Sequence, residues 1–289
     1  MRIVFLPRIL FPITIFIFVL SPLHPDALGA GKKRASASKD DEIVMINWKC
    51  DDPNPGKQAR DAAPSGKDGI VSGRITGGIP GISGTAFSGF TNETSTVSQD
   101  IGQQWPDRFA LQLWLRNPGN AAVNVIAVGG STQNASRLWQ LQVSGPDANG
   151  QRTMTLVWQL HTGQCQTFTS APFKWEKNTW HHLALSRFNV FIRCKEPGQK
   201  KEFGERGAGF RVWLTPAGAD EVKFLFGGTT SRALMKPNDK DAQLFTVGAT
   251  RPGRHKEQPG GCFGGDIDEI SLQLGRALYE AHLNPALSP

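Results

Sequence analysis

The acidic run Asp266-Ile-Asp-Glu-Ile-Ser271 is the one candidate in this chain for paired-carboxylate chemistry. In extended backbone Asp266 and Asp268 share a face, while Glu269 points to the opposite one. A retaining glycosidase needs two such groups about 5–5.5 Å apart, one a nucleophile and one an acid. His181 and His182 are adjacent in sequence. Neighbours on a strand face opposite sides, so they cannot act as a pair on one substrate or metal. One is expected inside and hydrogen-bonded, the other exposed. No Gly-x-Ser-x-Gly elbow accompanies them, so a serine hydrolase is not supported.

Trp114 and Trp213 each fall on the more polar face of their segments, beside Gln112, Arg116 and Arg211. Aromatic rings flanked by hydrogen-bonding side chains form a surface on which a sugar ring stacks. The same positions equally suit rings packed under a loop, and both readings stay open. Cys50, Cys165, Cys194 and Cys262 show no close C-x-x-C spacing, which argues against zinc. Four cysteines in an exported chain suggest two disulfides, with three connectivities open.

The elements that must position these groups are strands. Phe109, Leu111, Leu113 and Leu115 alternate with polar neighbours, as do Trp139, Leu141 and Val143, and then Met154, Leu156, Trp158 and Leu160. Segments 180–187, 210–215, 244–248 and 267–272 follow suit. Turn clusters such as Asn117-Pro-Gly-Asn120 and Arg251-Pro-Gly253 separate them. Many short alternating runs between Gly, Pro and Asn turns predict an all-β sandwich or jelly roll. With 32 Gly and 19 Pro, long helices have little room. Only 276–283 has helical character.

The first thirty residues read as a signal peptide: Arg2 and Arg8, then an apolar run over 9–20, then small residues to Ala30. That run is too short for a membrane span, which needs about 20 residues. Residues 31–41 read as a flexible leader, leaving 42–289 as one domain. Export predicts a secreted, periplasmic or cell-surface location. The net charge of +7 sits partly in that leader and in a loop cluster with Arg251, Arg254, His255 and Lys256. A solvated basic surface is expected rather than a nucleic-acid site. Asn92-Glu-Thr94 and Asn134-Ala-Ser136 have the glycosylation-acceptor pattern. The loops at 189–208 and 227–241 are the expected specificity elements.

The order of motifs resembles the laminin G-like jelly roll of the concanavalin A-like lectin/glucanase superfamily. The opening Ile43-Val-Met-Ile-Asn-Trp-Lys49 with Asp51-Asp52, the glycine-rich loop after Asp61, and Gly81-Ile-Ser-Gly-Thr-Ala-Phe87 stand in that family's order. So do Phe109–Leu115, Trp180-His-His-Leu-Ala-Leu185 and Arg211-Val-Trp-Leu214. The closing Gly265-Asp-Ile-Asp-Glu-Ile270 with Ala277-Leu278 is the most specific match. A polar insertion at 189–208 departs from the family's short hairpin.

The resemblance implies a two-sheet antiparallel jelly-roll sandwich whose first and last strands lie side by side. On that topology Cys50 would pair with Cys262, and Cys165 with Cys194. It also implies possible Ca²⁺ ligation, with Asp61 and Asp268 as the matching acids. The superfamily's glucanases place their carboxylates as Glu-x-Asp-x-x-Glu, and here Ser271 stands where the last acid should be. The expectation is therefore a non-catalytic binding module recognising carbohydrate through Trp114, Trp213, Arg116 and Arg211. The alternative is a structural or protein-interaction domain at the cell envelope.

Overall fold

The computed structural model describes residues 45–64, 66–102, 105–131, 137–160, 162–194, 203–230, 243–253, 255–278 and 283. The signal-peptide and leader segments, the acceptor pattern at 134–136, and parts of the two expected specificity loops (195–202 and 231–241) lie outside the described residues.

Fifteen strands of four or more residues are found among the described residues: β1 (Met45–Trp48), β2 (Gly69–Ser72), β3 (Thr76–Pro80), β4 (Thr85–Ser88), β5 (Thr96–Asp100), β6 (Phe109–Arg116), β7 (Asn124–Ser131), β8 (Arg137–Val143), β9 (Met154–Gln159), β10 (Cys165–Thr169), β11 (His181–Cys194), β12 (Phe203–Pro216), β13 (Phe224–Thr230), β14 (Gln243–Val247) and β15 (Asp266–Leu274). The first sheet runs β13-β12-β11-β6-β15-β4-β3, with β1 also paired to β15. The second runs β10-β9-β8-β7-β14-β5-β2 and closes on Gln58–Ala59. Every pairing is antiparallel, so the fold is an all-β, two-sheet jelly-roll sandwich.

Alternation places the core. Phe109, Leu111, Leu113 and Leu115 of β6 point inward with Leu183, Leu185, Phe210 and Val212, and all are buried. Trp139, Leu141, Val143, Met154, Leu156 and Trp158 face them from the second sheet. Aromatic pairs cross the gap: Phe109 stacks on Trp139 at 5.2 Å, Trp158 meets Phe210 edge-on at 5.1 Å, and Trp48 stacks on Phe245 at 5.7 Å. Each such ring contributes roughly 1.5–3 kcal/mol by leaving water.

The first and last strands are neighbours, Trp48 opposite Ile270. β15 changes partner along one edge, because Ile267 pairs with Phe87 of β4 and the residues from Ile270 onward pair with β1. At that handover β15 carries a bulge between Asp268 and Ser271, with Glu269 at φ +46°. The bulge returns Ser271 to the face of Asp266 and Asp268, as the sequence pattern requires.

The expected disulfides are not formed: Cys50, Cys165 and Cys262 all carry free thiols. Cys50 follows β1 in the first sheet. Cys262, however, pairs with Ala249, in a short ladder that packs on β7 of the second sheet. The chain crosses between sheets after Cys262, with Gly264 at φ +76°, so Cys262 does not reach the end of β1. The Cys194 side chain lies outside the described residues, but the free Cys165 thiol leaves it without the expected partner.

The 189–208 insertion extends a hairpin. β11 and β12 pair over fourteen positions, whereas β6 covers only His181–Arg187. From Val190 to Cys194 the ribbon has only its own two strands among the described residues, and Phe191 on it is 66% exposed. No helix occurs among the described residues. Arg276–Leu278, the described start of the expected helical stretch, is irregular.

Candidate functional site

Of the four residues expected to bind sugar, the two tryptophans are placed in separate covered clusters, and Arg211 is exposed away from both. Trp114 is 5% exposed and packs with Ala86 and Trp180 under Ile79, Ile82 and Ala217. Arg116 lies over the Trp180 ring at 4.5 Å and donates from Nε to Asp266 at 2.9 Å. Trp213 is 1% exposed beneath Leu278, Leu283 and Val222. Arg211 sits over Phe188 instead, at 5.5 Å. Both tryptophans do occupy the outer face of the first sheet. Chain segments from elsewhere cover their rings, so the stacking surface gives way to two packed caps.

The histidines take opposite faces as their adjacency requires, although neither is exposed as one was expected to be. His181 is buried against Trp175, and its Nδ1 lies 3.0 Å from the Thr179 carbonyl. His182 is half-buried against Trp114 on the other face, and burial pushes its pKa down to about 4.

Asp61 and Asp268 brace different loops. Asp61 Oδ1 accepts the Asn47 and Ala63 N–H groups, and Oδ2 accepts that of Lys67. Asp268 Oδ2 accepts the Ile82 N–H and Oδ1 its neighbour's, and burial raises its pKa to about 7. Calcium needs 6–8 oxygens with free lone pairs. Carboxylates ringed by backbone N–H groups, one of them buried and drawn toward its neutral form, do not fit a shared ion.

Near the handover in β15, where Ile267 pairs with Phe87, lies a cavity. Between the end of β1 and β4 lies a space of about 360 Å³ lined by Lys49, Cys50, Asp51, Asp52, Pro53, Arg60 and Phe87. Phe87 and Cys50 are buried at its base, and Asp51 and Arg60 are exposed. Cys50 itself adopts φ +62°. Burial, then the nearby Asp268 and Glu269 charges, raise its thiol pKa well above the ordinary value, so it stays protonated. Lys49 Nζ holds Glu269 at 2.7 Å across the bulge. Asp51 Oδ1 accepts the Thr85 N–H at 2.9 Å, and Asp52 Oδ1 that of Asn54 at 2.9 Å. Each of those carboxylates retains further acceptor capacity. Two glycines sit close to these carboxylates: a Cβ at Gly84 would lie 2.2 Å from Asp51 Oδ1 and one at Gly81 2.4 Å from Asp268 Oδ2, so either substitution would displace a carboxylate. The signal for this site was Asp51-Asp52 directly after the first strand. Lys49 and Arg60 carried none.

No family model matches the chain, and no curated protein does. Solved structures with a similar arrangement include domain 4 of AbnA, an extracellular arabinanase from Geobacillus stearothermophilus, in complex with arabinotriose (16% identity over 83% of this chain and 96% of that one, TM-score 0.49). The receptor-binding domain of botulinum neurotoxin type G matches at 11% identity and TM-score 0.43. There the alignment covers 82% of this chain and 48% of the other. A heptameric SAP-like pentraxin from Limulus polyphemus matches at 12% identity over 68% and 77%, TM-score 0.40. What they have in common with the chain is the sandwich. That fold rests on its own two sheets.

Proposed function

We propose that this chain is an exported, non-catalytic binding module that recognises carbohydrate, or a glycan-bearing surface, at the cavity between β1 and β4. The observation that carries the reading is the convergence of Lys49 and Arg60 as donors with Asp51 and Asp52 as acceptors around about 360 Å³ of open space. Sugar hydroxyls both donate and accept, so a mixed rim suits them, and the volume falls within the roughly 300–1,000 Å³ of ligand pockets. Catalysis is disfavoured by the same geometry. Asp266 is ion-paired with Arg116, Asp268 is fully buried, and the third position of the face is Ser271.

A glycan array probed with the wild type and with an Arg60→Ala/Asp52→Asn variant tests this. At least one glycan should be retained by the wild type, and the variant should lose about tenfold or more in affinity, roughly 1.4 kcal/mol. Equal binding by both, or cleavage of the bound glycan, would overturn it. A protein-interaction role at the cell envelope is the second reading, favoured by the exposed Phe191 on the β11–β12 ribbon. It would be supported if no glycan binds and Phe191→Ser alone disrupts cell-surface retention.

A further inference from the structure

The outer face of the second sheet carries a cluster that the cavity does not use. Cys165 of β10 is the direct cross-strand partner of Gln159 of β9, so their side chains share that face. The 251–260 loop lies over them. It turns tightly, with Gln258 N–H on the His255 carbonyl and Gly253 N–H on the Gln258 carbonyl. It is also tied down, because Gln258 Nε2 donates to the Arg137 carbonyl at 3.1 Å and Arg137 Nη1 donates to the Gln258 and Pro259 carbonyls at 3.2 Å. Gln258 and Arg137 are both buried. The result is that one ligating atom each of Cys165, His255 and Glu257 lie within 4.8 Å of one another. This is the one such grouping among the described residues.

A second observation points at the same place. Gln159 is 4% exposed, and its Oε1 has no hydrogen-bond partner, while its Nε2 lies 3.3 Å from His255 Nε2. The two ends of an amide exchange by a half-turn. With Oε1 toward the ring, the orphaned acceptor takes the Nε2–H of His255, which would leave Nδ1 as the nitrogen with a free lone pair. Metal-bound histidines are held in this way by an acceptor behind the ring.

We propose that Cys165, His255 and Glu257 form a binding site for a zinc-like divalent cation, with Gln159 orienting the imidazole. Thiolate, imidazole and carboxylate together suit a borderline ion such as Zn²⁺, and hard calcium poorly. Tetrahedral zinc brings ligand atoms to roughly 3.5 Å from one another, so small rotamer changes close the cluster. Thiolate and carboxylate balance the ion's two charges, and three protein ligands leave a fourth position for water or an incoming group. Cys165 would bind as a thiolate, so metal uptake releases a proton. The two disulfides expected from the resemblance concealed this site, since a bonded Cys165 offers no thiolate.

Cobalt titration of the reduced, chelator-stripped full-length protein tests the assignment. One equivalent of Co²⁺ should give an intense thiolate-to-cobalt charge-transfer band that Zn²⁺ abolishes. Cys165→Ser should remove the band, whereas Cys50→Ser and Cys262→Ser should keep it. His255→Ala and Glu257→Gln should weaken Zn²⁺ binding at least tenfold, and Gln159→Leu about 10–100-fold. Unfolding midpoints measured in chelator separate lost ligation from lost folding. The proposal is overturned by a band that survives in Cys165→Ser, by no band in the wild type, or by peptide mapping without reduction that joins Cys165 to Cys194.

Discussion

The two sheets turn outward faces of opposite chemistry, and each is covered in its own way. Outside the first sheet Trp114 and Trp213 are sealed by apolar segments, Ile79, Ile82 and Ala217 over one and Leu278, Leu283 and Val222 over the other. Outside the second sheet Arg137, Gln140 and Gln159 are buried beneath the 251–260 loop, and directional bonds hold it, Gln140 Nε2 reaching the Pro259 carbonyl at 3.1 Å. Apolar contact is non-directional and sets how much surface is hidden. Hydrogen bonds also set where the covering loop must lie. The polar cover therefore holds three ligating side chains in register, and the apolar cover supplies stability.

The difference can be attacked from either side. Trp213→Ala should have the largest effect, about 3–5 kcal/mol in denaturant unfolding, because a fully buried ring is removed. A loss below about 1 kcal/mol would show that the cap is not part of the core. Arg137→Met should cost about 1–3 kcal/mol by leaving the Gln258 and Pro259 carbonyls without their donor. Hydrogen exchange should then rise in 251–260 before the rest of the second sheet, and uniform acceleration would contradict a directional cover. His182→Phe should make the first-sheet cap less sensitive to acid. Burial lowers the His182 pKa from 6.5 to about 4, so the wild type loses this stabilisation as pH falls through that window. The variant's midpoint should gain on the wild type between those values, and parallel curves would deny the burial. Arg60→Ala touches neither cover and should change stability by less than about 0.5 kcal/mol.

Most of the sandwich was legible because alternation reports directly which side chains face inward. Leu111, Leu113, Trp139 and Trp158 are where their spacing puts them. Alternation also assigned Trp114 and Trp213 to the outer face correctly, but it says nothing of what lies on top. Leu278 comes from 65 or more residues away in sequence, and no local pattern announces it. The cavity was partly legible, through Asp51-Asp52. The bulge in β15 was not, because it puts Glu269, a residue with a side chain, at positive φ where glycine would have been the signal. Cys165 and His255 are brought together by the tertiary hydrogen bonds that tie the 251–260 loop to Arg137 and Gln140, which spacing cannot reveal.

The β11–β12 ribbon divides one continuous strand into two regimes. His181–Arg187 is held on both sides, by β6 and by β12, whereas Phe188–Cys194 has a partner on one side only. An isolated two-stranded hairpin is marginal in water. Hydrogen exchange is therefore expected to be fastest in the outer half of this strand, at a lower opening cost than in the half held on both sides.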